Sequence, residues 1–585
     1  MHLFIVTPDT HSFTSPASRL AIVLAAAALP SLLAYNVSPS PTFLNQALAF
    51  ALWGVFAAST IAHARPGALW PLTAALALLL AGTAWSWGPG GLPGSLALSA
   101  IGTLLATGVL LAAGAGARRS TAAQAFFAAF CWAWLAAGLL NVAVAGVQVF
   151  WSGLPDGNWL AASGIPGRAV GNLRQPNHLS SLLVWSCIAL VALAQMRRLA
   201  LRWAAPMLAL LVFAVVLTAS RTGLVSVALL AFWGLFDTRL SRRVRGLLLA
   251  APLLYAAAWY GMAQWAAASQ HAFGGAQRLA ESDISSSRFG IWANTLELIR
   301  AHPWAGVGWG EFNFAWTLTP FAGRPTAFFD HTHNLPLQLA VELGLPLAGA
   351  VLALLVWALW RGARQAWSTG GDTGTAQRCA MLMVLMIGLH SLLEYPLWYA
   401  YFLLPTAWAW GFALPGSGDD EAAAAAPGGS PRLTWAAWGL VAGAAFSVWD
   451  YTRVAAIFSA RAGDAPLEQR IAVGQRSVFF AHHADYAAVT SGVAQGDPAH
   501  AFDRATHYLL DTRLMMAWAQ ALAERGELDA ARHLAARLRE FRKSDAEDFF
   551  ADCPLAASAP APGQAFQCET PLRAPGWQAL LPHPP

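Results

Sequence analysis

The stretch from Asp330 to Gln338 holds the residues best suited to proton transfer. It reads Asp-His-Thr-His-Asn-Leu-Pro-Leu-Gln and directly precedes a long apolar segment. Asn334 is a good N-cap candidate, and proline is tolerated in a first helical turn, so a helix should begin here. His333 would then lie beside a helix N-terminus, where the positive end of the helix dipole disfavours imidazolium and leaves neutral imidazole as a base. The same helix end attracts phosphate.

Two alternatives stay open for this stretch. Asp330, His331 and His333 could ligate a metal, although their spacing matches no recognised ligand set. The two histidines could also be purely structural. The interpretation adopted here is a base at His333, with no metal site and no cofactor.

Two arginines interrupt the apolar chain where they could hold an anion. Arg221 lies in a Ser-Arg-Thr-Gly turn between two apolar segments. Arg288 lies in the segment 285–292, which is followed by an amphipathic helix expected to extend to about Ile299. A guanidinium group can bind two phosphate oxygens at once. Trp292 follows Arg288 by four residues on the same helical face, so the two could stack. For Arg221 the alternative is a charge that simply extends to the lipid headgroups.

Three further segments carry polar groups or glycines. Residues 171–178 read Gly-Asn-Leu-Arg-Gln-Pro-Asn-His; we expect Arg174 and Gln175 to face a cavity and Asn177 to cap the next helix, the alternative being a polar loop plus cap. Residues 390–399 read His-Ser-Leu-Leu-Glu-Tyr-Pro-Leu-Trp-Tyr and include Tyr395. Residues 306–310, Gly-Val-Gly-Trp-Gly, lack the Lys-Ser/Thr of a nucleotide-binding P-loop.

The composition indicates which elements must position these groups. Only 11% of the 585 residues are charged and 57% are hydrophobic, whereas soluble proteins average about 25% charged residues. This excludes a soluble enzyme, a disordered chain or a nucleic-acid-binding protein as the whole description. Apolar runs of about 16–26 residues recur from Arg19 to Tyr451, and about 20 residues cross a bilayer. We predict an all-α polytopic membrane protein with about 12–13 transmembrane helices. Their rough positions are 19–34, 43–63, 68–86, 95–114, 124–150, 178–196, 201–219, 222–236, 247–268, 335–360, 379–392, 397–414 and 433–450.

Arginine placement predicts the orientation. Alternate connections carry the clustered arginines, which by the positive-inside rule should be cytoplasmic. These are Arg65, Arg118, Arg119, Arg197, Arg198, Arg202, Arg239, Arg242, Arg243, Arg245, Arg361, Arg364 and Arg378. The polar segments described above, including a long loop at about 269–334, then share the opposite side. No small-x-small cleavage site follows the first span before Tyr35, so we predict an uncleaved anchor rather than a signal peptide.

The chain divides into five regions. We predict a membrane catalytic domain at 1–414, a flexible linker at 415–431, a last transmembrane helix at 432–452, a helical soluble domain at 453–553, and a Pro/Ala-rich tail without fixed structure at 554–585. With a cytoplasmic N-terminus, an odd number of spans places the domain at 453–553 and the tail outside the cytoplasm. The stretch from Leu509 to Phe541 has helical periodicity, with Gly526 at a turn. It resembles one tetratricopeptide-type unit, and an ordinary helical hairpin is the alternative. Cys553 and Cys568 could be bridged outside the cytoplasm or remain unpaired.

Together these motifs resemble the bacterial O-antigen ligase and O-antigen polymerase superfamily, and within it the protein O-oligosaccharyltransferases, or pilin glycosylases. The resemblance covers residues from about 160 to 412. It rests on segments 172–178, 220–223, Ser287-Arg288 with Trp292, 306–310, His331 through Gly344, and 390–399.

This resemblance implies a multi-pass protein of the bacterial inner membrane with an active site on the periplasmic side. It implies an inverting, metal-independent glycosyltransferase whose donor is an oligosaccharide on undecaprenyl pyrophosphate. By the resemblance, Arg221 and Arg288 hold the pyrophosphate and His333 takes or orients the acceptor hydroxyl. Gln175 and Tyr395 resemble supporting polar positions of the family. The residues expected to bind substrate are Gln175, Arg174, Tyr395, His331, Asn334 and Trp292.

Several acceptors fit this chemistry. The preferred interpretation is transfer to Ser or Thr of a pilin-like or other periplasmic protein. An O-antigen ligase that uses lipid A–core, or a polymerase that extends the glycan, would share the donor and the membrane lipid environment. A transporter of lipid-linked sugar is a remote alternative, because no internal repeat is visible. No nucleic-acid partner is expected.

Overall fold

The protein is all-helical throughout the part of the chain that can be described. The computed structural model describes residues 15–61, 69–276, 284–414, 431–461, 463–493, 498–553 and 565–581, and these contain α- and 3₁₀-helices and no strand. The helices that precede the tail are α1 (Pro16–Leu32), α2 (Phe43–Ala58), α3 (Trp70–Trp87), α4 (Gly94–Arg119), α5 (Ala123–Phe150), α6 (Pro176–Gln195), α7 (Leu201–Thr218), α8 (Arg221–Phe236), α9 (Arg242–Ser269), α10 (Ile284–Ala301), α11 (Phe312–Leu318), α12 (Leu335–Ser368), α13 (Gly371–Ser391), α14 (Ala400–Ala413) and α15 (Pro431–Phe458). The tail adds α16 (Leu467–Gly474), α17 (Ala481–Ser491), α18 (Pro498–Ala505), α19 (Thr512–Glu524) and α20 (Leu528–Glu540).

The membrane-spanning character of the chain is confirmed. Within the described ranges, six helices are long and apolar enough to cross a bilayer: α4, α5, α6, α7, α9 and α12. Three shorter apolar helices are α1, α2 and α8. Each of the thirteen predicted spans overlaps a helix, and the segment expected to be short at 379–392 belongs to the 21-residue α13. The protein is therefore a polytopic all-α membrane protein, and the total of 12–13 spans stays a prediction.

The described residues form two compact units, and α6 is the centre of the first. This unit comprises residues 1–73, 105–282 and 355–446. Every residue of α6 from His178 to Ala194 is buried, and α5, α7, α8, α9 and α13 pack around it. Small residues allow close approach: a Cβ on Gly138 of α5 would lie 2.2 Å from Ser186 Oγ. Such small-residue contacts are a common way for helices to associate in lipid.

A buried ion pair links Arg378 to Asp237 in the first unit. Arg378 of α13 donates from Nε to Asp237 Oδ2 at 2.9 Å, and both side chains are 2% exposed. Trp233 Nε1 donates to the same carboxylate oxygen at 3.1 Å, and the Arg239 backbone N–H donates to Oδ1 at 3.1 Å. The carboxylate of Asp237 is therefore compensated on both oxygens.

Removing that carboxylate should destabilise the protein strongly. In Asp237→Ala the Arg378 guanidinium stays buried without its counter-ion, and breaking a buried pair in this way typically costs about 3–5 kcal/mol. Thermal unfolding in detergent should show a markedly lower melting temperature. Asp372→Ala serves as the matched control, because Asp372 is exposed. Equal melting temperatures for the two variants would contradict the assigned role of this pair.

The second unit is built around a break in α12. It comprises residues 74–104, 283–354 and 447–585. Gly344 has φ 74° and ψ 163°, which interrupts the helix. The carbonyl groups before the break accept hydrogen bonds from the glycine-rich segment that precedes α11. Val307 N–H donates to Val341 O at 2.8 Å, and Gly308 N–H donates to Glu342 O at 3.0 Å. Gly306 has φ 70°, and a Cβ there would lie 2.5 Å from the Glu342 carbonyl carbon. These glycines are thus required for backbone docking.

The tail consists of paired helices, with a bridge at its end. Helices α19 and α20 form a hairpin with Gly526 at its turn, as the periodicity predicts; a tetratricopeptide assignment stays a prediction. Cys553 and Cys568 are disulfide-bonded, which decides between the two alternatives left open by the sequence. Residues 565–581 contain 3₁₀ turns, contrary to the expectation of no fixed structure, because the disulfide and packing by Trp577 hold them. Most of the predicted linker, 415–430, lies outside the described residues.

Candidate active site

In the first unit, one side-chain amide joins three of the polar segments. Asn177 donates from Nδ2 to Glu394 Oε1 at 3.1 Å, and its Oδ1 accepts from Ser220 Oγ at 2.6 Å. Ser180 Oγ, one helical turn after Asn177, donates to Ser220 Oγ at 3.1 Å. Segments 171–178, 220–223 and 390–399 are therefore brought together, as their polar character suggested.

The cap of α6 differs from the prediction. Gln175, rather than Asn177, is the N-cap residue: its Oε1 accepts from the His178 backbone N–H at 2.8 Å. Pro176 occupies the first helical position, where its missing N–H costs nothing, and this places the cap at Gln175, two residues before the predicted position. Gln175 was expected to face a cavity, but its Oε1 atom accepts this local hydrogen bond instead. Asn177 is the residue that connects the three segments.

Arg221 begins α8 and is exposed. Its neighbour Ser220 is the N-cap, accepting from Gly223 N–H at 3.0 Å. Because Ser220 is also hydrogen-bonded to Asn177, the turn is anchored to α6. The position of Arg221 is therefore defined by a buried cap while its guanidinium remains accessible.

Arg174 is half-buried and contacts carbonyls of its own unit. Its Nη2 donates to Gly157 O at 3.3 Å and its Nη1 donates to Pro41 O at 3.4 Å. Burial lowers the pKa of the Arg174 guanidinium. These long contacts leave the cation available to an anion.

Aromatic rings cover the first turn of α6. Tyr395 stacks on Tyr399, with ring centroids 6.1 Å apart. His178 contacts Tyr399 edge-on, and its Nδ1 lies 3.2 Å from the Tyr401 hydroxyl. Sequence reasoning assigned no role to His178 or Glu394, although both lie inside the polar segments it identified.

In the second unit, His333 stands directly before the helix that was predicted for it. Asn334 Oδ1 accepts from Leu337 N–H at 3.0 Å, so the predicted cap is confirmed. His333 is half-buried and its ring contacts Phe329 edge-on, with centroids 5.7 Å apart. The imidazole therefore lies at the N-terminus of α12.

A chain of hydrogen bonds holds the loop that carries His333. Gln338 accepts from Thr332 N–H at 2.7 Å and donates to Glu342 at 2.9 Å. Trp292 of α10 donates its indole N–H to Thr332 O at 2.9 Å. Trp292, expected from its spacing to stack with Arg288, thus has a direct contact with the His333 loop. Glu342 is buried.

The second unit also contains His331 and Arg288. His331 Nδ1 lies 2.8 Å from Asp330 Oδ1. Partial desolvation by the surrounding protein opposes ionisation of the Asp330 carboxyl, which is 51% exposed, yet His331 and weaker contacts together hold the pKa of Asp330 below the ordinary value. Arg288 is half-buried on α10, one turn before Trp292. Among the described residues, no three His, Cys, Asp or Glu side chains are arranged to hold a metal ion.

Three residues in or beside these segments have a strained backbone conformation. Among the described residues, six non-glycine residues have positive φ, and they include Arg174 (57°), Ala219 (49°) and His333 (54°). Ala219 directly precedes Ser220. Such conformations cost of the order of 1–3 kcal/mol each and often mark functional sites.

Comparison with known families places these segments in context. Residues 206–352 match a family described as O-antigen ligase, residues 169–194 match a protein glycosylation ligase, and residues 379–550 match the C-terminal part of a virulence factor membrane-bound polymerase. These matches confirm the resemblance to the O-antigen ligase superfamily.

Two curated relatives refine it. A general O-oligosaccharyltransferase of Acinetobacter baylyi is 28% identical over 282 residues, covering 46% of this chain and 47% of the relative. A ComP-specific O-oligosaccharyltransferase of the same organism is 26% identical over 265 residues, covering 43% and 45%. The alignments thus span about half the length of these relatives, and they support the O-oligosaccharyltransferase branch.

Proposed function

We propose that the protein is an inverting, metal-independent oligosaccharyltransferase of the bacterial inner membrane. It moves a preassembled glycan from undecaprenyl pyrophosphate to Ser or Thr of a periplasmic protein such as a pilin. One observation carries this proposal: the O-antigen ligase match at 206–352 contains Arg221, Arg288 and His333 together. The names of the two relatives support the choice of a protein acceptor.

The chemistry is a single displacement at the anomeric carbon. The acceptor hydroxyl oxygen forms the new bond to C1 of the first sugar as the bond from C1 to the pyrophosphate oxygen breaks, with inversion at C1. The hydroxyl proton passes to His333, and the electron pair of the broken bond leaves on undecaprenyl pyrophosphate. Because pyrophosphate is a good leaving group, positioning and charge stabilisation supply much of the rate.

The arginines and the loop network have separate tasks in this scheme. Arg221 and Arg288 bind the pyrophosphate oxygens, on which negative charge accumulates as the bond breaks. Arg174 offers a further cation. Substrate binding and support of the His333 loop are assigned to Asn334, His331 and Tyr395. Gln175 caps the start of α6.

A second acceptor has a specific observation in its favour. The matched family at 206–352 is described as O-antigen ligase, which favours lipid A–core as the acceptor. The donor and the displacement would be unchanged, so only the acceptor distinguishes the two candidates.

A defined transfer assay tests the proposal. Purified full-length protein in detergent receives undecaprenyl-pyrophosphate oligosaccharide, with a pilin-type protein or lipid A–core in separate reactions, each with and without chelator. Glycan on the protein, unaffected by chelator, is the expected result. Glycan on lipid A–core alone would replace the proposed acceptor, and transfer that chelator abolishes would refute the metal-independent mechanism. Transfer to neither acceptor would contradict both candidates.

Trp292→Phe should lower transfer about fivefold. Phenylalanine keeps the ring but loses the N–H bond to Thr332 O, and one hydrogen bond contributes about 1 kcal/mol. The loss should appear in kcat, since the contact positions the backbone next to the base His333. The control is Trp304→Phe, because Trp304 is 80% exposed. Equal activity of both variants would show that the Trp292 contact does not position the loop.

A further inference from the structure

Helix α11 connects the tail to the loop that carries His333. This short helix lies inside the second unit, between the glycine-rich segment and residues 319–334. All residues from Phe312 to Leu318 are buried. Its polar side chains therefore need partners inside the protein.

Asn313 satisfies this requirement with two bonds in two directions. Its Nδ2 donates to Phe329 O at 2.8 Å, and its Oδ1 accepts from Leu510 N–H of the tail at 2.8 Å. The side chain is 3% exposed. A single buried amide thus joins the tail backbone to the backbone of the His333 loop.

On the loop side, Phe329 lies between α11 and His333. Its ring contacts Trp316 of α11 edge-on at 5.7 Å and contacts the His333 ring at 5.7 Å. Its carbonyl is the acceptor for Asn313. The position of Phe329 is therefore determined by α11, and Phe329 forms one wall against the imidazole.

On the tail side, polar and aromatic contacts hold α11. His507 Nδ1 lies 2.6 Å from Glu311 Oε1, and both side chains are buried. Burial opposes protonation of His507, but Glu311 outweighs burial and raises its pKa above the ordinary value. His533 Nε2 lies 2.8 Å from Leu318 O, and Phe541 packs on Trp316. These contacts hold both ends of α11.

We propose that Asn313 is a positioning residue for His333, and that the tail contributes to the geometry of the active site because Leu510 holds Asn313. This inference rests on the proposed function for its catalytic meaning. The structural link itself, from Leu510 through Asn313 and Phe329 to His333, stands on the contacts described above. The tail accordingly affects kcat by helping to position the loop that carries His333.

Asn313→Asp separates the two bonds of the amide. The aspartate keeps an oxygen acceptor for Leu510 N–H. As a carboxylate it cannot donate to Phe329 O, but when protonated it can donate there. Burial raises the pKa of a carboxyl group, so the protonated form should become populated at mildly acidic pH. Gln520→Glu, the same amide-to-acid change on the exposed face of α19, is the matched control.

Two measurements decide the proposal. The first is kcat from pH 8 to pH 5, expressed as the ratio of variant to parent for folded protein. The second is hydrogen exchange of residues 319–334, which needs no activity. We expect Asn313→Asp to lose about 10–100-fold in kcat at pH 8 with KM for donor and acceptor within twofold, since a misplacement of about 1 Å can cost 10²-fold. The ratio should rise as the pH falls, and loop exchange should be faster at pH 8 than in Gln520→Glu.

The opposite results would overturn it. A kcat equal to the parent at pH 8, a ratio that does not change with pH, or unchanged loop exchange each contradicts a positioning role. Asn313→Leu, which loses both bonds, guards against a misfolded aspartate variant: it should show the same loss at every pH, without recovery. If the parent transfers no glycan while loop exchange responds as expected, the proposed function fails and the structural link stands.

Discussion

Replacing His333 with alanine should lower glycan transfer by about 10²–10⁴-fold, the range that general-base catalysis typically contributes. The residue lies at the start of α12, directly before the confirmed Asn334 cap. Transfer to the protein acceptor at saturating donor is the measurement. His271→Ala is the matched control, because His271 is exposed.

The backbone at His333 offers a sharper variant. Its φ of 54° is a conformation that glycine adopts without penalty. His333→Gly should therefore lose activity as severely as His333→Ala while unfolding at no lower temperature than the alanine variant. Added imidazole should restore part of the activity of His333→Gly. Full activity in either variant would exclude His333 as the base.

The single substitutions Arg288→Ala and Arg221→Ala should each lower kcat by about 10²–10³-fold, the usual effect of losing one group that stabilises transition-state charge. The pyrophosphate gains negative charge as its bond to the sugar breaks, so the loss should exceed any change in donor KM. Lysine at either position should recover only part of the rate, because it keeps the charge but not the two-pronged geometry.

Two exposed arginines provide controls for this series. Arg300 lies in the last turn of α10, the helix that carries Arg288, and Arg242 lies in the first turn of α9. Arg300→Ala and Arg242→Ala should transfer glycan at the parental rate. Should Arg221→Ala match them while Arg288→Ala is inactive, Arg221 would be an interfacial charge directed to lipid headgroups, the alternative interpretation of its turn.

The local features of the candidate site were predictable because their causes are local. Asn334 is a strong cap followed by a proline in the first turn, and those neighbours alone place His333 at a helix N-terminus. The same reasoning predicts the cap of α6 wrongly at Asn177, because Pro176 occupies the first helical position and makes Gln175 the cap. Gln175 is a less common cap type, and only its observed bond to His178 N–H identifies it.

The partners of these residues were not predictable, since they lie far apart in the chain. Asn177 meets Ser220 across 43 residues and Glu394 across 217 residues. Trp292 reaches Thr332 across 40 residues. Nothing in the type or spacing of a tryptophan specifies which carbonyl its N–H will meet, because that depends on how the intervening helices pack.

The amino-acid sequence by itself determined the helical class, the position of the apolar segments, the polar stretches and the cap of α12. These follow from short-range free energies: about 20 apolar residues match the bilayer, and a helix satisfies its own backbone hydrogen bonds there. Only the tertiary structure decided that Cys553 and Cys568 are bridged, that Asn177 joins three segments, and that the tail holds Asn313. Such contacts form when distant segments pack, and their stability depends on shape and burial that no local pattern encodes.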